Sequence, residues 1–557
     1  MAAPNPLASY AYTLDHKVSS IAFSNGTKTV KTYDSVGRLD KVLHMSRGGT
    51  ALWSETSRYD QRDRRTARIH HDGKADLFSY DPAGQVTAAA YGQSALILPQ
   101  DPKADTVQHQ AVTRWDQTFA YDPAGNRSQF TEAPVGSAEP DAIRQWNYQA
   151  NAANQYTAVK ETTSTEPSTT EPRYDPNGNL LTDDRNTYTW DADIHLLSVT
   201  TKPSEVRAPG SGQLETLNQK PITSEFRYDP LHRRVARLEP DGTLTHFIHD
   251  GWNVIAEYAT PPNRESQIVN HKLPSARHTW GHDISGKPQG VGGIGGLLAS
   301  THPQQSSTTA NNSQPSQTFF LNYDSNGNVI LLTDSKGEES GRYAYDAFGK
   351  TLLASGAMAQ QNRYRFSAKP VEIASGLSFY GYRYYSPKLG RWISKDPIQE
   401  RGGPNVYAFV TNAPLKHTDK LGLILTAAEA AALAEAEAAA AASSSGALSR
   451  CGCYAAAAVV GWQLGELVNE YTEIDEIIGE VILDFIDDLN LGGRRWMCAG
   501  SCNVQKIKKD ACCPDRVSGV GYGSNEEEAS KNMQRDANSK VPQGCYKRHC
   551  YPICARL

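Results

Sequence analysis

The sequence predicts a mainly β protein, a spiralling sheet shell built from repeated antiparallel hairpins, followed by a small helical and cysteine-rich α+β region. Three observations predict it. A tyrosine–aspartate pair, a turn and a β-prone run recur from the N-terminal part of the chain to the middle. The chain holds 27 Tyr against 13 Phe, a bias towards aromatic rings that pack on one side and keep a polar tip. All nine cysteines fall after residue 450, in a tail of different composition.

The repeats come first, because a fixed period decides the architecture. Clear copies are Tyr33-Asp34-Ser-Val-Gly37, Tyr80-Asp81-Pro-Ala-Gly84, Tyr121-Asp122-Pro-Ala-Gly125, Tyr174-Asp175-Pro-Asn-Gly178, Tyr323-Asp324-Ser-Asn-Gly327 and Tyr345-Asp346-Ala-Phe-Gly349. Degenerate copies begin at Tyr59-Asp60 and Tyr228-Asp229. Asp opens the turn in each, Pro presets φ in those that carry it, and in the clear copies Gly supplies the positive φ that a tight hairpin requires. The flanking runs are strands. A lone hairpin cannot bury a face, so successive hairpins are expected to join edge to edge into a long curved meander rather than form separate small β domains. The tyrosine hydroxyls are expected to stay in water. Two polar segments, Glu161–Glu171 and His302–Gln317, read as flexible insertions.

Four regions are expected: a β-shell over 1–340, a closing domain over 341–423 (its start implied by the resemblance described below), an Ala-rich acidic helical segment over 424–493, and a basic Cys-rich domain over 494–557. The net charge of −5 hides their asymmetry. Residues 424–493 carry twelve acidic side chains and one Arg, whereas 494–557 carry twelve basic and six acidic ones. The opening residues lack a charged and an apolar region, so no N-terminal signal peptide is expected. The weakly polar run Tyr454–Gly461 is too short to span a bilayer.

Two further motifs read as structural. Gly290-Val-Gly-Gly-Ile-Gly295 spells GxGxxG, yet no helix-forming run follows to hold a pyrophosphate, so a packed Gly-rich loop is expected. His70-His71-Asp72 beside a turn reads as exposed polar residues rather than a metal site.

The repeats, with the blocks Asp250–Tyr258, Thr279–Asp283 and Asn362–Phe366 and above all the closing stretch Gly381–Leu423, resemble the Rhs/YD-repeat family of bacterial polymorphic toxins, related to insecticidal toxin-complex C subunits. The resemblance covers about residues 28–423. It implies a β-shell carrying a variable C-terminal effector, a cognate immunity protein, secretion machinery, and secretion or delivery to other cells by a bacterium. It also implies an intramolecular aspartyl protease that cuts after a Pro-x4-Asp-Pro-x-Gly-Leu sequence. Pro414, Asp419, Gly422 and Leu423 match, so the implied cut lies between Leu423 and Ile424. Asp396 and Asp419 are then the catalytic carboxylates, sharing one environment so that one holds a proton, with Arg391 as a positioning group. Lys420 stands where that pattern has proline; a flexible cation there is expected to misplace Asp419 or depress its pKa. The rival reading is a non-catalytic surface protein binding carbohydrate or partner proteins.

The tail completes the account. Helices are expected over Ile424–Leu448, Ala455–Val468 and Ile474–Leu489, the last with an apolar stripe against an acidic face. Cys498, Cys502, Cys512, Cys513, Cys545, Cys550 and Cys554 are too dense for an ordinary core and point to disulfides or to zinc. A strand near Val517 and a helix from Asn525 follow. Lys506, Lys508, Lys509, Arg516, Lys547 and Arg548 suit a polyanion such as nucleic acid, or a merely solvated basic surface. No further cofactor is expected.

Overall fold

The structure is a computed structural model. It describes residues 7–94, 116–133, 143–162, 167–202, 205–207, 214–216, 220–262, 274–302, 316–423, 496–506, 516–523, 525–539, 541 and 545–556. The chain divides into two compact units, one ending at Thr426 and one taking in the C-terminal remainder.

The first unit is built on two large antiparallel sheets. One has 13 strands in chain order, from Ala8–Tyr12 to Ser168–Thr170; the other has 14, from Arg173–Tyr174 to Thr351–Ser355. Consecutive strands pair as hairpins throughout, except that Leu196–Thr201 pairs with Ile222–Tyr228 past a separate two-stranded hairpin, Glu205–Arg207 with Leu214–Thr216. Neither sheet closes on itself among the described residues.

The repeat explains its own turn. At Asp81 the backbone N–H donates to the Gln85 carbonyl at 3.0 Å and the Gly84 N–H donates to the Asp81 carbonyl at 3.0 Å. The Asp81 carboxylate then accepts the Gln85 N–H at 2.9 Å, so the side chain locks the turn it begins. Gly84 has φ +89°, and the register shifts between Ser79 and Tyr80. This is the type I turn with a glycine bulge, one of the standard hairpin solutions. The degenerate copies keep it by placing Asp63 (φ 58°) and His232 (φ 64°) at the same point. The same turn recurs without tyrosine at Trp190-Asp191 and Thr333-Asp334, where the Asp N–H again donates to the carbonyl four residues on.

The repeat tyrosines correct one expectation. Their hydroxyls are not left to water but donate to carbonyls of a neighbouring strand: Tyr33 to Val18 at 2.9 Å, Tyr59 to Leu39 at 2.7 Å, Tyr80 to Arg65 at 2.6 Å, Tyr121 to Val86 at 2.8 Å, Tyr228 to Leu196 at 2.9 Å and Tyr345 to Val329 at 2.8 Å. The bulge leaves a strand-end carbonyl short of a ladder partner, and the tyrosine of the next turn supplies it. The polar insertions are corrected in part too. Ser168–Thr170 is an edge strand paired with Tyr156–Glu161, and within His302–Gln317 residues 303–315 lie outside the described residues.

Side chains and backbone tie the two sheets together. A nitrogen of His44 lies 2.8 Å from the Tyr323 carbonyl, the Ser325 N–H donates to Glu55 at 2.7 Å, and the Ala347 N–H donates to the Tyr91 hydroxyl at 2.9 Å. His70, expected to be exposed, is half-buried and sits 3.0 Å from Asp76. One core cluster joins Val42 and Trp53 of the first sheet to Leu321, Leu331 and Tyr343 of the second. Tyr380, Tyr385, Trp392 and Phe409 of the closing segment pack into that same cluster. The expected boundary between 340 and 341 falls inside the strand Glu339–Tyr345. After Ser355 the described part of this unit has the short strands Ser378–Phe379, Tyr384–Ser386 and Arg391–Trp392 and the single-turn 3-10 helices Phe366–Ala368, Gln399–Gly402 and Val410–Asn412, joined by turns.

In the second unit the strand Trp496–Lys506 is central, flanked antiparallel by Arg516–Gly523 and Cys545–Arg556. The helix Glu526–Ser539 connects the outer two and packs on the sheet with Met533 and Ala537 buried. Asn525 caps it, its side-chain oxygen accepting the Glu528 N–H at 2.9 Å. The expected strand and helix are both present, and the α+β character of this part holds. The helices expected within 424–493 lie outside the described residues. Among the described residues no helix is long and apolar enough to cross a membrane.

Candidate active site in the closing segment

The two aspartates expected from the resemblance come together around a residue that sequence reasoning missed. Arg383 is 1% exposed, its guanidinium stacked on the Trp392 ring at 4.2 Å. One of its terminal nitrogens lies 2.7 Å from Asp396 Oδ2 and 3.5 Å from Asp419 Oδ2. Its Nε donates to the Gly422 carbonyl. A single cation thus spans both carboxylates and the residue before Leu423.

Asp419 holds the segment from the other side. Its Oδ1 accepts the N–H groups of Gly422 and Leu423, each at 2.7 Å. Gly422 has φ +79°, which favours glycine, and a Cβ there would press on the Arg383 backbone nitrogen at 3.0 Å. Leu423 is buried at 7% exposure. Ile424, on the far side of the implied cut, lies outside the described residues.

Burial pushes the Asp419 pKa up, Arg383 and the two backbone N–H groups oppose it, and the neighbouring Asp396 adds to the rise. Oδ1 is occupied as an acceptor, so a proton taken up by Asp419 would sit on Oδ2, whose contact with Arg383 is 3.5 Å. Arg383 is itself held below its ordinary value by burial, against the pull of Asp396 and Asp419. Of the two carboxylates, Asp419, with the longer contact to Arg383, is the one pushed towards its neutral form. Lys420 does not depress Asp419 as expected, because burial dominates there.

Arg391 is not part of this arrangement. It stacks on the Tyr156 ring at 4.0 Å and donates to the Asn154 carbonyl at 2.7 Å. Arg391 and Trp392 are adjacent in one strand, so their side chains leave by opposite faces, and the face of Trp392 is the one towards Arg383. The Arg-x4-Asp-Pro spacing pointed to the wrong arginine because a sequence interval carries no information on facing.

The Gly-rich loop meets this site. Gly292 has φ +70°, and a Cβ there would lie 2.0 Å from the Lys420 carbonyl oxygen. Lys369 is buried and donates to the Gly292 carbonyl at 2.7 Å and to the Lys420 carbonyl at 3.2 Å. Burial pulls its pKa down to about 8 against the attraction of Asp419 and Asp283. The loop is a packed one, as expected: a strand, Leu297–His302, follows it rather than a helix.

In the second unit the expected cationic positions gather by register. Lys506 ends the central strand opposite Cys545, Arg516 starts its partner opposite Asn503, and Lys547 faces Val504 with Arg548 next to it. They share one end of the sheet. Lys508, Lys509, Cys512 and Cys513 lie outside the described residues.

No family model matches the chain. Curated proteins do. The tRNA3(Ser)-specific nuclease WapA of Bacillus spizizenii is 25% identical over 74% of this chain and 17% of its own length. Double-stranded DNA deaminase toxin A of Burkholderia cenocepacia is 26% identical over 70% of this chain and 24% of its own. Toxin subunit YenC2 of Yersinia entomophaga is 36% identical over 17% of this chain and 10% of its own. The chain therefore spans less than a quarter of the length of these relatives. Among solved structures, TcdB2-TccC3 aligns with a TM-score of 0.43 at 16% identity, over 75% of this chain and 22% of that one. With its tyrosine–aspartate hairpins throughout, and aligned over 70–74% of its length with the WapA nuclease and the deaminase toxin, the chain is similar to Rhs/YD-repeat toxin proteins.

Proposed function

We propose that this chain is a toxin carrier that cuts itself after Leu423 and so frees its C-terminal tail as an effector. The observation that carries the reading is the sealed Asp396–Arg383–Asp419 cluster, in which Asp419 grips the Gly422 and Leu423 amides and Arg383 the Gly422 carbonyl. Such a cluster has the parts of an aspartyl protease: one carboxylate ionised to activate water, one protonated to polarise the peptide. Ionised Asp396 takes a proton from a water molecule as its oxygen adds to the Leu423 carbonyl carbon. Protonated Asp419 supplies the acid. Breaking the C–N bond then leaves the Leu423 carboxylate and a free amine on Ile424. Arg383 keeps the ionised state of Asp396 stable where no solvent screens it.

The freed tail is read as acting on a polyanion such as nucleic acid, through Lys506, Arg516, Lys547 and Arg548 at one end of its sheet. A cognate immunity protein, export machinery and delivery to other cells belong to the same reading, supported by the toxins it aligns with.

The test is the intact mass of the purified full chain beside Asp396→Asn, Asp419→Asn and Arg383→Gln variants. The reading expects a break between Leu423 and Ile424 in the parent and none in the three variants. A parent chain that stays whole, or variants that cut normally, would remove the protease from this reading. Growth of bacteria expressing the full chain addresses the effector: inhibition supports it, and neutral growth with a cleaved tail argues against it.

A further inference from the structure

The tail's ladder brings its cysteines into register. Along the central strand and its partner Cys545–Arg556, Cys498 stands opposite Cys554 and Cys502 opposite Cys550, with no register shift between the two pairs. Midway between them Gly500 stands opposite Pro552. Proline has no N–H, so this pair cannot be one that exchanges two ladder bonds; it is a non-hydrogen-bonded pair, and its strand is at the edge of the sheet, where proline is tolerated. Pair types alternate residue by residue, so the pairs two positions away on either side have the same type. Both cysteine pairs are therefore non-hydrogen-bonded pairs on one face, with Cα atoms about 4.5 Å apart, inside the range of roughly 4.4–6.8 Å that a disulfide spans.

From this register we propose that the tail is stapled by two cross-strand disulfides, Cys498–Cys554 and Cys502–Cys550. The same spacing disfavours a zinc site made of these four. The pairs lie four residues apart along the strand, about 13 Å at roughly 3.3 Å per residue, and four thiolates cannot converge from there on one ion with Zn–S bonds of about 2.3 Å. Each bond forms by thiol–disulfide exchange with a small disulfide oxidant such as oxidised glutathione. One cysteine thiolate attacks the oxidant and expels a thiolate, and its partner then attacks the mixed disulfide and expels the second. Two thiols lose two electrons and two protons, and one oxidant molecule becomes two thiols. The stapled form belongs to an oxidising compartment, so the tail is loosened in a reducing cytosol and tightened outside it.

The test uses the full chain, equilibrated with oxidised glutathione, alkylated under denaturing conditions and digested with trypsin without reduction. The peptides Trp496–Lys506 and His549–Arg556 are expected to emerge as one species, lighter by four hydrogens than their reduced sum. Cys498→Ser is expected to free Cys554 for alkylation while the second bond persists, and Cys502→Ser to free Cys550. Separate peptides, a Cys498→Ser variant that frees Cys550 instead, or four thiols that stay unoxidised around bound zinc would each overturn the pairing. None of these outcomes depends on whether the chain cuts itself.

Discussion

Replacing Arg383 by Gln isolates the electrostatics of the closing segment. The guanidinium and the two carboxylates it spans have side chains at most 1% exposed, so water screens nothing there. With Asp419 already pushed towards its neutral form, loss of the cation removes the ion pair of Asp396, whose Oδ1 still accepts the Ile398 N–H at 3.0 Å. The cheapest escape is to protonate Asp396, which costs about 1.4 kcal/mol for each pH unit above an ordinary aspartate pKa near 3.9. That is about 4 kcal/mol at pH 7 and about 1.5 kcal/mol at pH 5, consistent with the roughly 3–5 kcal/mol seen when one partner of a buried pair is removed. The assay is urea unfolding of Arg383→Gln at both pH values, in an Asp419→Asn background that keeps every chain uncut. The deficit is expected to be several kcal/mol at pH 7 and to shrink by roughly 3 kcal/mol at pH 5. A deficit under about 1 kcal/mol at pH 7, or one of equal size at the two pH values, would refute the reasoning.

Other outcomes follow from the same geometry. Arg391→Gln, which loses the Tyr156 stack and the Asn154 bond, lowers the melting temperature yet leaves the mass after self-cleavage unchanged. At Gly84 a Cβ meets nothing within 4 Å, so Gly84→Ala costs only the left-handed φ, about 1–2 kcal/mol in unfolding free energy. Gly292→Ala instead collides with the Lys420 carbonyl, and mass spectrometry is expected to find its chain uncut while its fold persists by circular dichroism. Tyr80→Phe strands the Arg65 carbonyl and costs about 1–3 kcal/mol in thermal unfolding. Glu257 is brought down to about 2, burial raising its pKa but the His278 hydrogen bond and charge and the cations Arg237 and Arg363 outweighing it. Because the folded value is depressed, its stabilisation is complete above pH ~4.5 and is lost as pH falls towards 2, so Glu257→Gln should destabilise at pH 7 and be nearly neutral near pH 2.

The hairpins were legible in the sequence because a turn is local: the aspartate, the glycine and the amides they satisfy lie within five consecutive residues, as at Asp81–Gln85. The tail strand near Val517 and the helix from Asn525 were readable for the same reason. So were Asp396 and Asp419 as a pair, through the motif around them. The destination of each tyrosine hydroxyl was not, since the carbonyl it serves sits on a neighbouring strand, and only the pairing of strands identifies it.

By itself, then, the sequence determined the repeat, its turns, the long antiparallel meander and the change of composition after Leu423. Tertiary structure alone decided which arginine spans the aspartates. Arg383 and Arg391 carry the same charge and are close in number, but strand alternation directs Trp392 to one and sends the other to Tyr156. It also decided what the Gly-rich loop is for: Gly292 makes room for the Lys420 carbonyl, a close approach between segments far apart in the chain. Local chemistry repeats and can be read along a chain; the sharing of one buried charge by two others depends on where folding brings them.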